Sequence, residues 1–259
     1  MLLVIDIGNT NATFGVFDKE NLINRFSIET PHGQNAVEIH NLIKENLSGD
    51  VSGVIISSVV TEVNDSFQEL AEKFFNLKPV FVDHTFDFGL EIKYNPPSAL
   101  GADRIVAAFA AVEKYGKPCI ICDFGTATTI DAVNSRGEYL GGIIVAGMNV
   151  LADSLFQKTS KLPKVKIEKP DKVIGDSTVS CIQSGIYFGY AGLVEKLLQK
   201  MIKELGEKPK IIATGGLAST IAESVEMIET VDKNLMLEGL RLIYEKVFQH
   251  KDTKTTKKI

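Results

Sequence analysis

The chain has 259 residues, 44% hydrophobic and 24% charged, which suits one large or two modest globular domains. Its net charge of -5 argues against a nucleic-acid binder, which needs a basic face for phosphates. Any anionic substrate must then be held by local positive groups and backbone N–H donors. The longest apolar stretch, around Ile143 to Val150, is well short of the roughly 20 residues that span a bilayer. Asp6 interrupts the N-terminal apolar run and no basic residue precedes it, unlike a secretory signal. The expectation is a cytoplasmic protein with no membrane and no nucleic-acid partner.

In chain order, "LLVIDIGNTNATFGVF" opens a predicted hairpin or three-strand meander over Leu2–Asp6, Thr13–Asp18 and Leu22–Glu29. Val37, Ile39, Leu42, Ile43 and Leu47 predict a helix from about Ala36 to Asn46. Gly53–Val60 reads as a buried parallel strand. Phe67, Leu70, Ala71, Phe74 and Phe75 form one side of a helix over Asn64–Phe75, and Pro79–Asp83 is a short strand. Two prolines make "YNPPSALGADR" a loop, followed by an alanine-rich helix from about Asp103 to Tyr115. "CIICDFGTATTIDAVN" gives two strands, and "YLGGIIVAGMN" a third strand with a glycine-rich turn. Then come a helix over about Asn149–Thr159, a charged proline-bearing loop, and a long glycine-containing helix over Ile182–Leu205. "KPKIIATGGLAST" is a strand, the pair Gly215-Gly216, and a helix start. Leu235–Phe248 is a last helix, and the basic segment 251–259 is expected to be disordered.

Three cysteines, Cys119, Cys122 and Cys181, make no disulfide framework. Cys119 and Cys122 have redox or metal spacing, but they lie in a predicted buried strand. Residues three apart on a strand face opposite ways, so two packed core thiols are expected. His32, His40, His84 and His250 have no metal-ligand spacing.

The second half restarts the pattern of the first. "CIICDFGTATTIDAVN" aligns with "LLVIDIGNTNATFGVFD", with Asp123 in the place of Asp6 and Gly125 in that of Gly8. An internal duplication takes priority in assigning a fold. It predicts two α/β domains facing a cleft, where ligands of such sheets usually bind. A single D-x-G-x-T stretch could be a hairpin with a polar turn. Two copies and a later "TGG" before a helix point instead to paired phosphate loops. Glycine lets the backbone approach an anion, while the aspartate would act on phosphate through a cation such as Mg²⁺.

These paired loops and the later glycine pair resemble the acetate and sugar kinase, heat-shock and actin superfamily. That resemblance implies two duplicated ribonuclease H-like, actin-like ATPase domains around an interdomain cleft, placed here at 1–105 and 106–250. With "YNPPSALGADR", "CDFGTATTID", "GGIIVAGM" and "GDSTVSCIQSGIYFGYAGLVE", the chain from Leu3 to about Tyr244 resembles the type III pantothenate kinases. The resemblance implies ATP-dependent phosphorylation of pantothenate at its primary hydroxyl, the first committed step toward coenzyme A. It also implies a homodimer and a monovalent cation, K⁺ or NH₄⁺.

The same resemblance carries residue roles. Asp103 matches the general base, taking the hydroxyl proton as the phosphoryl group transfers; as a residue type it could also cap the following helix. Arg104 suits a carboxylate or phosphate through its planar fork of donors, or an ion pair. Gly101 and Ala102 leave room for the substrate. Tyr94 matches a substrate contact, with packing on the loop prolines as the alternative, and Thr178 matches a substrate contact near the dimer interface. Asp6 is expected to organise Mg²⁺, directly or through water. The loop Ile7, Gly8, Asn9, Thr10, Asn11, Ala12 and Thr13 is expected to line the phosphates. Asp123 matches the monovalent-cation position and Thr126 an ATP contact, and Gly215 and Gly216 would let adenosine approach the backbone. Ala146 departs from the family pattern, which has proline before Gly147.

Two other readings remain at this point. One is a non-catalytic regulatory relative, against which Asp6, Asp103, Arg104 and Asp123 count, since a binder needs no base. The other is a different kinase or phosphatase on the same fold, though the chain lacks the inserted domains of larger sugar kinases.

Overall fold

The computed structural model describes residues 1–47 and 49–255, with side chains as far as residue 248. The side chain of His250 and residues 256–259, part of the segment expected to be disordered, lie outside them. The elements in chain order are β1 (Leu2–Ile7), β2 (Asn11–Asp18), β3 (Asn21–Glu29), α1 (Ala36–Ile43), β4 (Gly53–Ser58), α2 (Asn64–Phe75), β5 (Val80–Phe81), β6 (Glu91–Ile92), α3 (Ala102–Tyr115), β7 (Cys119–Phe124), β8 (Ala127–Val133), β9 (Glu138–Ala146), α4 (Met148–Lys158), α5 (Thr178–Leu205), β10 (Lys210–Thr214), α6 (Ala218–Ala222), β11 (Thr230–Val231) and α7 (Leu235–Thr255).

Two sheets carry the duplication. The first has the order β3-β2-β1-β4-β5, and the second repeats it as β9-β8-β7-β10-β11, with β6 added beside β9. In both, the first three strands form an antiparallel meander and the first strand pairs in parallel with the fourth. Even the irregularity repeats: the register shifts at Val16/Phe17 in β2 and at Ala132/Val133 in β8. Two helices, α1 and α5, start where side chains satisfy orphan N–H groups. The Asn35 side chain caps α1 and Glu38 answers to the Asn35 N–H at 2.8 Å, the reciprocal arrangement of a capping box. Ser177 and Ser180 do the same for α5. That cap starts α5 at Thr178, four residues before the apolar periodicity becomes visible. At its far end Gly206 closes the helix at φ 68, a left-handed conformation that suits glycine.

The chain divides into two compact units: Met1–Gly89, Asn95–Ala110 and the part from Asn234 onward, and Leu90–Tyr94 with Ala111–Lys233. This differs from a single cut after residue 105, because α7 belongs to the first sheet. Small residues let it approach. The Gly15 α-carbon lies under Leu237, Gly53 under the Tyr244 ring, and Gly239 against Val106 and Ala110 of α3. α7 also runs through Thr255, beyond the expected end at Phe248. In the first unit Leu3, Ile5, Ile7, Phe14 and Val16 pack with Ile39, Ile43, Phe67 and Leu70 of α1 and α2. Each such fully buried side chain contributes roughly 1.5–3 kcal/mol. In the second unit Ile120, Cys122 and Phe124 pack with Ile186, Tyr190, Val194 and Leu198 of α5.

Candidate active site

Strand alternation decides where each aspartate points. Leu3, Ile5 and Ile7 face α1 and α2, so Leu2, Val4 and Asp6 face the side covered by α7. Register places Asp6 beside Thr13 of β2 and Ser57 of β4, and Thr13 Oγ1 lies 3.0 Å from Ser27 Oγ of β3. In the second unit Asp123 stands beside Thr129 of β8 and Thr214 of β10. Each repeat therefore ends its central strand in one carboxylate flanked by two hydroxyls. Asp6 and Asp123 are half-buried, while Ser57 and Thr214 are buried. The buried Ser57 Oγ has no hydrogen-bond partner among the described residues.

The turns beyond these aspartates are built alike but differ by one residue, Gly8-Asn9-Thr10 against Gly125-Thr126. Gly8 N–H donates to Asn11 O at 3.0 Å and Gly125 N–H to Ala127 O at 3.2 Å. Both turns are held from behind by equivalent donors. Val59 N–H reaches Ile7 O at 3.0 Å and Leu217 N–H reaches Phe124 O at 3.3 Å. Thr30 N–H reaches Thr10 O at 3.0 Å, and Gly147 N–H reaches Thr126 O at 2.9 Å. Thr30 and Gly147 each follow the third strand of their repeat. A Cβ on Gly147 would stand 2.4 Å and 2.6 Å from the carbonyl oxygens of Gly125 and Thr126, so glycine is required there. Ala146, in place of proline, keeps its carbonyl fixed by the Tyr190 hydroxyl at 3.1 Å.

Asp103 is not the cap residue of α3. It is the second residue of the helix, and its Oδ1 accepts from the Arg104 N–H at 2.8 Å. A Cβ on Gly101 would lie 2.4 Å from that Oδ1 and 3.7 Å from Val59 Cγ1. Because Val59 also anchors Ile7, the Gly8 turn and Asp103 are neighbours within the first unit. Arg104 and Ala102 are buried and Asp103 half-buried.

The second unit gathers Asp123, Thr126 and the glycine pair. Gly215 has φ +92, and a Cβ on it would meet Asp123 Oδ1 at 2.4 Å and Phe124 N at 2.7 Å; around Gly216 the space is open. Thr126 is exposed. Tyr94 is half-buried with its ring edge 3.4 Å from the Cβ position of Gly141. Thr178, the first residue of α5, is exposed.

The described residues contain no group of three His, Cys, Asp or Glu that could hold a metal. A closed all-protein cage is thus absent among them. The oxygen-only row of Asp6, Thr13 and Ser57, with its unpaired hydroxyl, fits a hard cation that keeps waters and takes phosphate oxygens. The single carboxylate of Asp123, with two hydroxyls beside it and the Gly215 backbone against it, fits a monovalent cation. Cys119 and Cys122 are buried core thiols, as strand geometry predicts. Burial pushes the Cys119 thiol up to about 12 and Cys122 in the same direction, so neither supplies a thiolate near neutral pH.

Several participants carry no motif in the sequence: Ser57, Thr129, Thr214 and Thr30. Their role depends on cross-strand register, and a superposition of the two repeats would have revealed the flanking hydroxyls.

The model of the type III pantothenate kinase family matches residues 2–200. A type III pantothenate kinase from Koribacter versatilis (strain Ellin345) is 45% identical over 263 residues, covering 95% of this chain and 96% of the relative. Among solved structures, a protein described as a conserved Baf family transcriptional activator from Campylobacter jejuni superposes with TM-score 0.63 at 20% identity, covering 95% and 99% of the two chains. MreB 5 of Spiroplasma citri bound to AMPPNP superposes with TM-score 0.53 at 13% identity over 98% of each. At such identities the likeness is one of fold, that of the actin-like ATPases with duplicated ribonuclease H-like units. The family match and the close relative together establish that this chain belongs to the type III pantothenate kinase family.

Proposed function

We propose that the chain transfers the γ-phosphoryl group of ATP to the primary hydroxyl of pantothenate, the first committed step toward coenzyme A, and does so in the cytoplasm. The observation that carries this reading is the repeated Asp–Gly turn with Asp103 beside its first copy. Phosphoryl transfer needs little covalent help from a protein; it needs positioned phosphates, charge compensation and an oriented nucleophile.

The turn from Ile7 to Thr13 and Thr126 line the phosphates, and Gly215 and Gly216 admit the adenosine. Asp6, with Thr13 and Ser57 beside it, would hold Mg²⁺ directly or through water. Asp123 would hold K⁺ or NH₄⁺. When bound, these ions supply neutralisation of phosphate charge. Asp103 accepts the proton of the attacking hydroxyl. Arg104, Tyr94, Gly101, Ala102 and Thr178 bind pantothenate, Arg104 by pairing with its carboxylate.

A homodimer belongs to the same reading. On α4, Val150, Leu151, Leu155 and Phe156 are exposed. Beside them a groove of about 340 Å³ is lined by Leu151, Leu155, Gly185, Gly189, Tyr190 and Leu193. Gly185, Gly189 and Leu193 lie four apart on α5 and share one helix face, and monomers rarely leave such a patch uncovered.

ADP release measured over a panel of pantothenate, hexoses, N-acetylhexosamines and acetate tests the substrate assignment. Turnover with pantothenate alone is expected; preference for a sugar or acetate would move the chain to another reaction on the same fold.

A further inference from the structure

Four consecutive carbonyl oxygens in the first turn are each turned onto a donor. Ile7 O accepts from Val59 N–H at 3.0 Å and Thr10 O from Thr30 N–H at 3.0 Å. Gly8 O accepts from Thr30 Oγ1 at 2.5 Å, and Asn9 O lies 3.3 Å from His32 Nε2. Carbonyl oxygens facing a polyphosphate would repel it, so a strap that holds them away prepares the turn for an anion. The second turn is held at two of its carbonyls by Leu217 and Gly147 N–H groups, so the Thr30 hydroxyl and His32 contacts distinguish the first.

His32 also contacts Glu62, with Nδ1 2.5 Å from Oε1. A carboxylate oxygen and a carbonyl oxygen are both acceptors. A ring that bonds to both must donate from both nitrogens, which only the imidazolium can do. Glu62 sits in the 3-10 turn Thr61–Val63, three residues after the Val59 that anchors Ile7. One short segment on each side of the turn thus meets over it.

We propose that His32 is a positioning residue for nucleotide binding: as an imidazolium pinned by Glu62, it holds the Asn9 carbonyl away from the ATP phosphates. This rests on the reading of the Ile7–Thr13 turn as the phosphate loop. Glu62 is the charged group facing the ring; Asn9 presents a neutral carbonyl, and the segment Thr30–Gln34 carries no other charge. The Glu62 and Asn9 contacts hold the ring's proton above its ordinary range. The strap is therefore complete at and below pH about 6.5 and is lost as pH rises through the raised value.

The test is ATP affinity and steady-state kinetics of the full-length protein and of His32→Ala, His32→Gln and Glu62→Gln, from about pH 6 to pH 9. Titration of the nucleotide itself is common to all four. At low pH His32→Ala is expected to bind ATP about three- to fivefold more weakly, with kcat at saturating ATP little changed. Its affinity should lack the pH-dependent step of the parent. His32→Gln keeps a donor for Asn9, so it should recover affinity while staying flat with pH. Glu62→Gln should move the step to lower pH. Parent-like affinity and pH profile in His32→Ala would overturn the inference alone; failure of the parent to bind ATP would overturn the phosphate-loop reading beneath it.

Discussion

Gly215 stands so close to Asp123 that a methyl group on its α-carbon would lie 2.4 Å from the carboxylate Oδ1. The contact fixes the backbone of one strand end against the carboxylate of its neighbour. It also explains why "TGG" follows β10: φ +92 at Gly215 strains any side chain-bearing residue.

Gly215→Ala should cost about 1–3 kcal/mol of stability and weaken ATP binding by about tenfold or more. Calorimetry and thermal unfolding measure both. Gly216→Ala meets open space and should keep the parent's Tm. Equal Tm values for the two variants would refute the role of the close approach.

Asp103→Asn should lower kcat by about 10²–10⁴-fold, the usual contribution of a positioned general base. The fold should survive, because an asparagine oxygen can still accept from the Arg104 N–H, as Asp103 Oδ1 does at 2.8 Å. Near-parent turnover in this variant would remove the base assignment.

Leu155→Glu places a charge in the groove beside Gly189 and Leu193. Burying that charge unpaired in an interface is costly, so sedimentation velocity should show the parent as the proposed dimer and the variant as monomer. A variant that sediments like the parent would place the contact between copies elsewhere.

Acid stability should depend on Glu138. Arg136, then Asn134, hydrogen-bond its carboxylate, Lys93 adds its charge, and the Glu138 value falls from 4.5 to about 2. A depressed carboxylate stabilises the fold above its unfolded value and loses that contribution as pH falls through the folded one. The network joins β6 to β9 at the sheet edge. Glu138→Gln should lower Tm at neutral pH by a small amount, since the network is near solvent, and flatten the loss of stability below pH about 4.5. An unchanged acid profile would show that the network adds nothing.

The duplication was legible because apolar periodicity and the Asp-x-Gly spacing are local properties. The residues of β7 and β8 align with those of β1 and β2, and the sheet orders match. Apolar periodicity places the start of α5 four residues late, since Ser177 and Ser180 cap it through hydroxyls. Two-residue strands such as β6 and β11 have too few side chains to show a period of two. The site divided the same way. Asp6, Asp103 and Asp123 announce themselves by motif, whereas Ser57 and Thr214 are ordinary strand residues until pairing sets them beside a carboxylate. Thr30 and His32 lie in a loop, and only the fold brings them under the turn they hold. The placement of α7 was likewise invisible, because Gly15, Gly53 and Gly239 matter only when two distant segments meet.

The most direct test of the whole account is to incubate the protein with γ-labelled ATP, Mg²⁺ and pantothenate, with and without K⁺ or NH₄⁺, and to locate the label by NMR and mass spectrometry. The account predicts 4′-phosphopantothenate, phosphorylated on the primary hydroxyl, with more product when the monovalent ion is present. No labelled pantothenate under either condition, or label at another position, would contradict it.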